Sequence, residues 1–170
     1  MPSGSRLPVG DVTVDSYTGE SLTPLREALY EAAFWRGDPR PAIEDALASA
    51  AVWRYLDGWG RPGDTAVVAR DSFGNIGGAA WFRFFTSNDH GYGFVGEAVP
   101  EVGIGLQSAW RSRGIGGRLL AALHTEAELS GIRRLSLSVE ADNPALRLYE
   151  RTGYRKLELV TGSWTMVAEI

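Results

Sequence analysis

Arg111-Ser112-Arg113-Gly114-Ile115-Gly116-Gly117 is the stretch of this chain best suited to chemistry on a ligand. Three glycines in four residues let backbone N–H groups approach a ligand with no side chain in the way. Arg111 and Arg113 add permanent charge and forked donors that match phosphate. An apolar run from Val102 to Leu106 precedes the stretch, and a helical pattern from Ile115 to Leu129 follows it. The helix would turn its unpaired first amides and positive dipole end onto the same place. Strand, glycine turn and helix together suit a phosphorylated ligand. The same residues also suit a plain tight connection between strand and helix.

Two familiar phosphate motifs do not fit. A P-loop carries Lys-Ser or Lys-Thr after its last glycine, and here Arg118 and Leu119 follow Gly117. The dinucleotide fingerprint G-x-G-x-x-G needs a third glycine where this chain has Leu119. Gly103-Ile104-Gly105 lies inside the apolar run, where glycine marks a bulge or a close backbone approach. A domain binding ATP or NAD stays open as an alternative.

The remaining chemistry is narrow. The chain has no cysteine, so thiolate nucleophiles, disulfides and cysteine metal sites are excluded. Its two histidines, His90 and His124, are far apart, and no ligand spacing suggests a metal, so none is expected. A net charge of −4 with no long basic run argues against nucleic acid as a partner. No apolar run is long enough to span a membrane. Met1 to Gly10 is rich in Pro, Ser and Gly and lacks an apolar signal core, so it reads as a flexible leader and the protein as cytoplasmic.

The elements that must position these residues follow from periodicity and punctuation. At 170 residues, the chain suits one domain, here 11–170, with a single sizeable core. Val12 to Val14 reads as a first strand. Leu22, Leu25, Leu29 and Ala33 recur at helical spacing up to Phe34, and Pro41 to Leu56 reads as a second helix. Thr65–Arg70 and Ile76–Phe85 flank a turn at Asp71–Asn75 and form a hairpin. Glu101 to Leu106 is the strand before the glycine turn. Ile115, Leu119, Leu123 and Ala127 form one helical stripe that Gly131 ends as a left-handed cap. Leu135, Leu137 and Val139 alternate with polar residues, which predicts a strand with one buried face. Asn143-Pro144 reads as the capped start of a short helix that Gly153 stops. Tyr154–Leu159 and Trp164–Val167 close the chain as two strands around Thr161-Gly162. The order is β-α-α-β-β-β-α-β-α-β-β, a mixed α/β fold around one sheet.

Arg111-x-x-Gly114-x-Gly116, then a helix and a strand, then Asn143-Pro144-Ala145-x-x-x-Tyr149-x-x-x-Gly153-Tyr154 resembles the GNAT superfamily of N-acyltransferases. The resemblance covers about Glu101 to Val167. It implies a mostly antiparallel central sheet flanked by helices, and acetyl-CoA as co-substrate. It also implies direct transfer of the acetyl group to a primary amine, with no covalent enzyme intermediate. By that resemblance the amides from Arg113 to Gly117, with Arg111, Ser112 and Arg118 beside them, hold the pyrophosphate of coenzyme A. The strand Ile104-Gly105-Leu106 splays from its neighbour and offers its backbone to the pantetheine arm. Gly103 and Gly105 are compatible with that close approach. Asn143 contacts the pantetheine or its acyl end, or simply caps its helix, and the two roles can coexist.

The same resemblance gives candidate catalytic residues. Tyrosine is protonated at neutral pH, so Tyr149 can protonate or hydrogen-bond the departing sulfur. Alternatively it packs with Ala145 and Leu148. The attacking amine must lose a proton, directly or through water, and Glu101 is the first candidate base, with Glu97 the second. Both carboxylates are otherwise readable as solvated groups at a strand entrance. A backbone amide near Leu106 is a candidate oxyanion donor. The acceptor side would be built from the first two helices, the hairpin and the loop before the fourth strand. Those segments are aromatic, with Phe34, Trp35, Trp53, Trp59, Trp81, Phe84, Phe85, Tyr92 and Phe94, and Asp38, Asp89 and His90 add polarity. Most of these aromatics are expected in the core. The expected partner is a small-molecule or peptide amine. The acceptor's identity, the acyl chain length and a homodimeric assembly stay open, and a non-catalytic acyl-CoA sensor domain is the rival function.

Overall fold

The computed structural model describes residues 11–170, so the expected leader at 1–10 lies outside the described residues. Seven strands form one sheet in the order β1-β2-β3-β4-β5-β7-β6. They are β1 (Val12–Ser16), β2 (Thr65–Asp71), β3 (Ile76–Arg83), β4 (Glu101–Leu106), β5 (Arg134–Glu140), β6 (Arg155–Val160) and β7 (Ser163–Glu169). Every pairing is antiparallel except β4 with β5. The helices are α1 (Thr23–Ala33), α2 (Ile43–Leu47), α3 (Ala50–Trp53), α4 (Ile115–Leu129) and α5 (Leu146–Arg151).

Two apolar cores sit on opposite faces of the sheet, giving three layers. The stripe Ile115, Leu119, Leu123 and Ala127 buries α4 in one core with Val67 and Ala69 of β2, Ala80 and Phe82 of β3, and Leu135, Leu137 and Val139 of β5. On the other face Leu25, Ala28 and Leu29 of α1 pack with Leu47, Leu56 and Trp81. Gly131, at φ 73°, takes the left-handed conformation expected just past α4. Thr161 and Gly162, at φ 49° and 83°, form the two-residue turn that twists β6 onto β7.

The expected elements need four corrections of extent. The second helix is two short ones, because Ser49 is extended (φ −68°, ψ 121°) and interrupts the hydrogen-bond ladder. The hairpin strand stops at Arg83, whose buried guanidinium bonds Asp64 at 2.6 and 2.9 Å. A single 3₁₀ turn, Ser108–Trp110, precedes the glycine turn. The helix expected from Asn143-Pro144 begins at Leu146; Asn143 instead closes a turn, its Oδ1 accepting from the Ala145 N–H at 2.9 Å.

The relationship that makes a site is the junction of β4 and β5. They pair in parallel only at Glu101 and Ser136, where the Ser136 N–H reaches the Pro100 carbonyl at 3.0 Å. Beyond that pair the strands diverge. Ser136 is itself buried, so β5 is covered on both faces and not on one. The covering chain includes Gly93, whose missing Cβ leaves room for the backbone of Leu137 and Ser138.

Candidate functional site

The divergence of β4 from β5 opens a cleft of about 770 Å³. Gly103 to Leu106 line one wall, and Ser138 to Glu140 with Asn143 to Ala145 line the other. Ser112, Gly114, Ile115, Gly116 and Gly117 close one end, while Tyr55, Trp81, Tyr92 and Glu101 lie toward the other. Most of the predicted site residues therefore meet in one space: Glu101, Ile104, Gly105, Leu106, Arg111, Ser112, Gly114 to Gly117, Asn143 and Tyr149 all line it. Arg113 and Glu97 do not.

At the glycine end, Gly114 stands at the N-cap of α4 with φ 74°, a conformation that favours glycine, and open space surrounds the place a Cβ would take. No side chain caps α4 and no acidic residue occupies its first turn. Its first amides and its positive dipole end therefore face the cleft without an anionic side chain of their own. Gly116 serves packing: a Cβ there would sit 2.9 Å from Leu148 of α5. The arginines are more committed than the sequence suggests. Arg111 donates from Nε to the Leu106 carbonyl at 2.9 Å and from Nη2 to Glu31 at 2.7 Å. Arg118 donates to the Val12 carbonyl at 2.6 Å. Gly103 and Gly105 do make a close approach, but to the protein itself. A Cβ at Gly103 would overlap the Trp81 ring, and one at Gly105 the Ala28 carbonyl of α1.

At the other end Glu101 is only 1% exposed, not a solvated residue at a strand entrance. Its Oε1 accepts from the Tyr55 hydroxyl at 2.7 Å and from the Gly93 N–H at 2.8 Å. Its Oε2 is buried with no hydrogen-bond partner among the described residues. Burial raises the carboxyl pKa above the ordinary glutamate range, while the bonds from Tyr55 and Gly93 and the charges of His90 and Arg54 oppose that rise. The Tyr55 hydroxyl also accepts from the Tyr92 N–H at 3.0 Å, and burial beside Glu101 pushes its own pKa well up. Glu97 is exposed and binds Ser87, through the backbone N–H at 2.9 Å and the hydroxyl at 3.2 Å. It braces the loop before β4 and does not reach the cleft.

Tyr149 lines the cleft from α5 and is 8% exposed. Its ring meets Tyr154 edge-on at 5.9 Å, and no side chain among the described residues bonds its hydroxyl. Burial drives its pKa far above the ordinary tyrosine value, so it stays protonated at neutral pH. Asn143 lines the same wall while closing its own turn, so its cap-like bond and a place at the cleft coexist.

A model described as the acetyltransferase (GNAT) family matches residues 26–154. The chain belongs to the GNAT acetyltransferase family. The uncharacterised N-acetyltransferase YycN of Bacillus subtilis is 44% identical over 57 residues, which is 33% of this chain and 36% of that relative. The matched stretch thus spans about a third of that curated relative. Among solved structures, the GNAT domain of S. lividans PAT overlays with a TM-score of 0.67 at 18% identity, covering 94% of this chain and 90% of that one. A GNAT superfamily phosphinothricin acetyltransferase from Sinorhizobium meliloti, in complex with AcCoA, gives 0.67 at 21% identity, covering 94% and 88%. Ribosomal-protein-alanine N-acetyltransferase from Brucella melitensis gives 0.66 at 23%, covering 93% and 99%. These likenesses show a shared GNAT fold.

Within this GNAT chain, sequence reading missed Tyr55 and Glu31. No local signal marks either, because each acts on a residue far along the chain. Of the aromatics, Trp35, Trp81 and Tyr92 line the cleft. Phe85 is buried edge-on to Tyr55 at 5.7 Å, and Trp53 and Trp59 pack on the α1-side core. Asp38, Asp89 and His90 do not line the cleft. Among the described residues no cluster of His, Cys, Asp or Glu is arranged to hold a metal. Likewise, no helix is long and apolar enough to cross a membrane.

Proposed function

We propose that this protein is an N-acetyltransferase that moves an acetyl group from acetyl-CoA directly to a primary amine. One observation carries the reading. The buried Glu101 carboxyl, with one oxygen unpartnered, shares a cleft with the uncapped, glycine-lined start of a long helix. A proton acceptor at one end and an anion cradle at the other suit a long ligand with a phosphorylated tail and a reactive head.

The residues fit acetyl-CoA. Gly114 to Gly117 would take the pyrophosphate on backbone amides, and the diverging backbone of Ile104 to Leu106 would take the pantetheine arm. Bound there, acetyl-CoA supplies a thioester carbonyl as electrophile and a thiol as leaving group. Glu101 would accept the proton that the attacking amine must lose, directly or through water. Its raised pKa makes it a stronger base than a surface glutamate. Tyr55 and the Gly93 amide fix Oε1, so Oε2 is the oxygen available to take that proton. Tyr149 would give a proton, or a hydrogen bond, to the departing sulfur. With no cysteine in the chain, direct transfer needs no thiol intermediate. The proposed acceptors are small-molecule or peptide amines and the proposed location is the cytoplasm.

The test combines calorimetric titration with acetyl-CoA and an amine panel followed by thiol release. Binding with amine-dependent thiol release supports the enzyme. Binding with no turnover on any amine would favour an acyl-CoA sensor, and preferential binding of ATP or NAD would overturn the donor.

A further inference from the structure

The charge around Glu101 narrows the acceptor, an inference that rests on the transfer reading above. Among the described residues, the charged side chains lining the cleft are Glu31, Glu101, Arg111, Glu140 and Arg151. Arg111 is held at the glycine end by Glu31 at 2.7 Å. Arg151 lies one turn beyond Leu148, the residue packed on Gly116, so it belongs to that end too. Glu140 lies four residues beyond Ser136, the register partner of Glu101, and is paired with Arg36, so among the described residues that line the cleft the charge at the Glu101 end is the Glu101 carboxyl alone.

None of the described arginines around this end lines the cleft, and each has a partner, Arg40 through Glu31 at 3.3 Å. Arg36 bridges Glu140 and Asp142, at 2.8 Å to the latter, with its guanidinium 4.4 Å from the Trp35 ring. Arg54 donates to the His90 carbonyl and pairs with Asp89 at 3.6 Å. Arg83 is fully buried against Asp64 at 2.6 Å. His90 stacks on Phe94 at 4.4 Å, with Nδ1 on the Gly91 carbonyl at 2.8 Å. The walls at the Glu101 end are apolar or aromatic: Val52, Tyr55, Trp81 and Tyr92.

We infer that the acceptor is a cationic amine on an apolar or aromatic body, with no carboxylate beside the amine. A protonated amine entering this end meets the Glu101 carboxyl and aromatic faces, both of which favour a cation. An α-amino acid would bring its own carboxylate next to Glu101 with no cationic side chain among the described residues lining that end to receive it, and like charges brought together oppose binding.

Matched triplets test this. Phenethylamine, phenylalanine and phenylalanine methyl ester differ only at the α-carboxyl, as do isoamylamine, leucine and leucine methyl ester. Each is titrated into protein saturated with coenzyme A, and each is separately assayed for thiol release from acetyl-CoA. The expectation is that amines and esters bind about tenfold or more tighter than the acids, with kcat/KM following that order. Acids that bind as well as amines overturn the inference. So do esters rejected like the acids, which would indicate shape and not charge, and so does failure of all six to bind. Preferential binding of amines with no thiol release would keep the inference while sinking the transferase reading.

Discussion

The Tyr55 hydroxyl lies 2.7 Å from Glu101 Oε1, and the two residues stand 46 positions apart in the chain. That hydroxyl also accepts the Tyr92 N–H at 3.0 Å. Tyr55 therefore ties the proposed base to the loop that covers it. It is a positioning residue, acting through Glu101.

Tyr55→Phe removes a hydrogen bond that stabilises the Glu101 carboxylate, so the Glu101 pKa rises further. The acidic limb of the pH–kcat/KM profile should move to higher pH, with KM for acetyl-CoA little changed. The Tyr92 N–H loses its partner, which costs about 1 kcal/mol in chemical denaturation. A profile that does not move would show that Tyr55 serves packing alone.

Glu101→Gln separates activity from stability. Gln can keep the two bonds at Oε1 but cannot take a proton from an amine, so kcat should fall about 100-fold or more. Burial raises the Glu101 pKa in the folded protein. A group raised on folding contributes stability that is full below its unfolded pKa and is lost as pH rises through its folded pKa. Above the ordinary glutamate pKa the buried carboxyl is therefore a cost that Gln does not carry. The melting temperature of the variant relative to the parent should therefore rise from pH 4 to pH 7, on top of a pH-independent offset from Nε2 donors placed where Oε2 has no partner. A difference that does not change with pH would contradict the strained carboxylate.

The two ends of the cleft differ in how far the sequence reveals them. The glycine end is local: Gly114, Gly116 and the stripe Ile115–Ala127 are consecutive, so turn, helix start and open amides can all be read from neighbours. Glu101 and Tyr149 are legible as residues, one at a strand start and one on a short helix. Their environments are not. Glu101 reads equally as solvated until the Gly91–Gly93 stretch and Tyr55 are folded over it. Tyr55 itself is hidden because Pro41 to Leu56 reads as one helix, and the extended backbone at Ser49 that breaks it has no periodic signature. Gly103 and Gly105 signal a close approach, but only tertiary packing reveals that α1 and Trp81 are what approach. The ties from Arg111 to Glu31 and from Arg36 to Glu140 join residues at least 80 positions apart, beyond the reach of any spacing rule.

Tyr149→Phe tests the proposed acid. Burial keeps the hydroxyl protonated well past neutral pH, so Tyr149 should add no basic limb to the activity profile in the neutral range. Removing it should lower kcat about 100-fold and leave the coenzyme A affinity measured by calorimetry unchanged. An unaltered kcat would return Tyr149 to a packing role against Tyr154.

Gly105→Ala tests whether α1 is seated directly on β4. The new Cβ would overlap the Ala28 carbonyl oxygen, a backbone atom that moves only if the helix moves. Because α1 also carries Glu31 and leads into Trp35 and Arg36, its displacement disturbs the acceptor mouth as well as the core. The expected cost is about 1–3 kcal/mol in denaturant unfolding, with acceptor kcat/KM falling more than coenzyme A affinity. Gly117→Ala is the matched control: its Cβ would lie 3.7 Å from Leu148, an ordinary contact, inside α4. Replacing a helical glycine there should stabilise by about 0.5–1 kcal/mol. If Gly105→Ala unfolds at the same denaturant concentration as the parent, α1 does not sit against the strand as described, and the wall of the cleft formed by Gly103 to Leu106 must be redrawn.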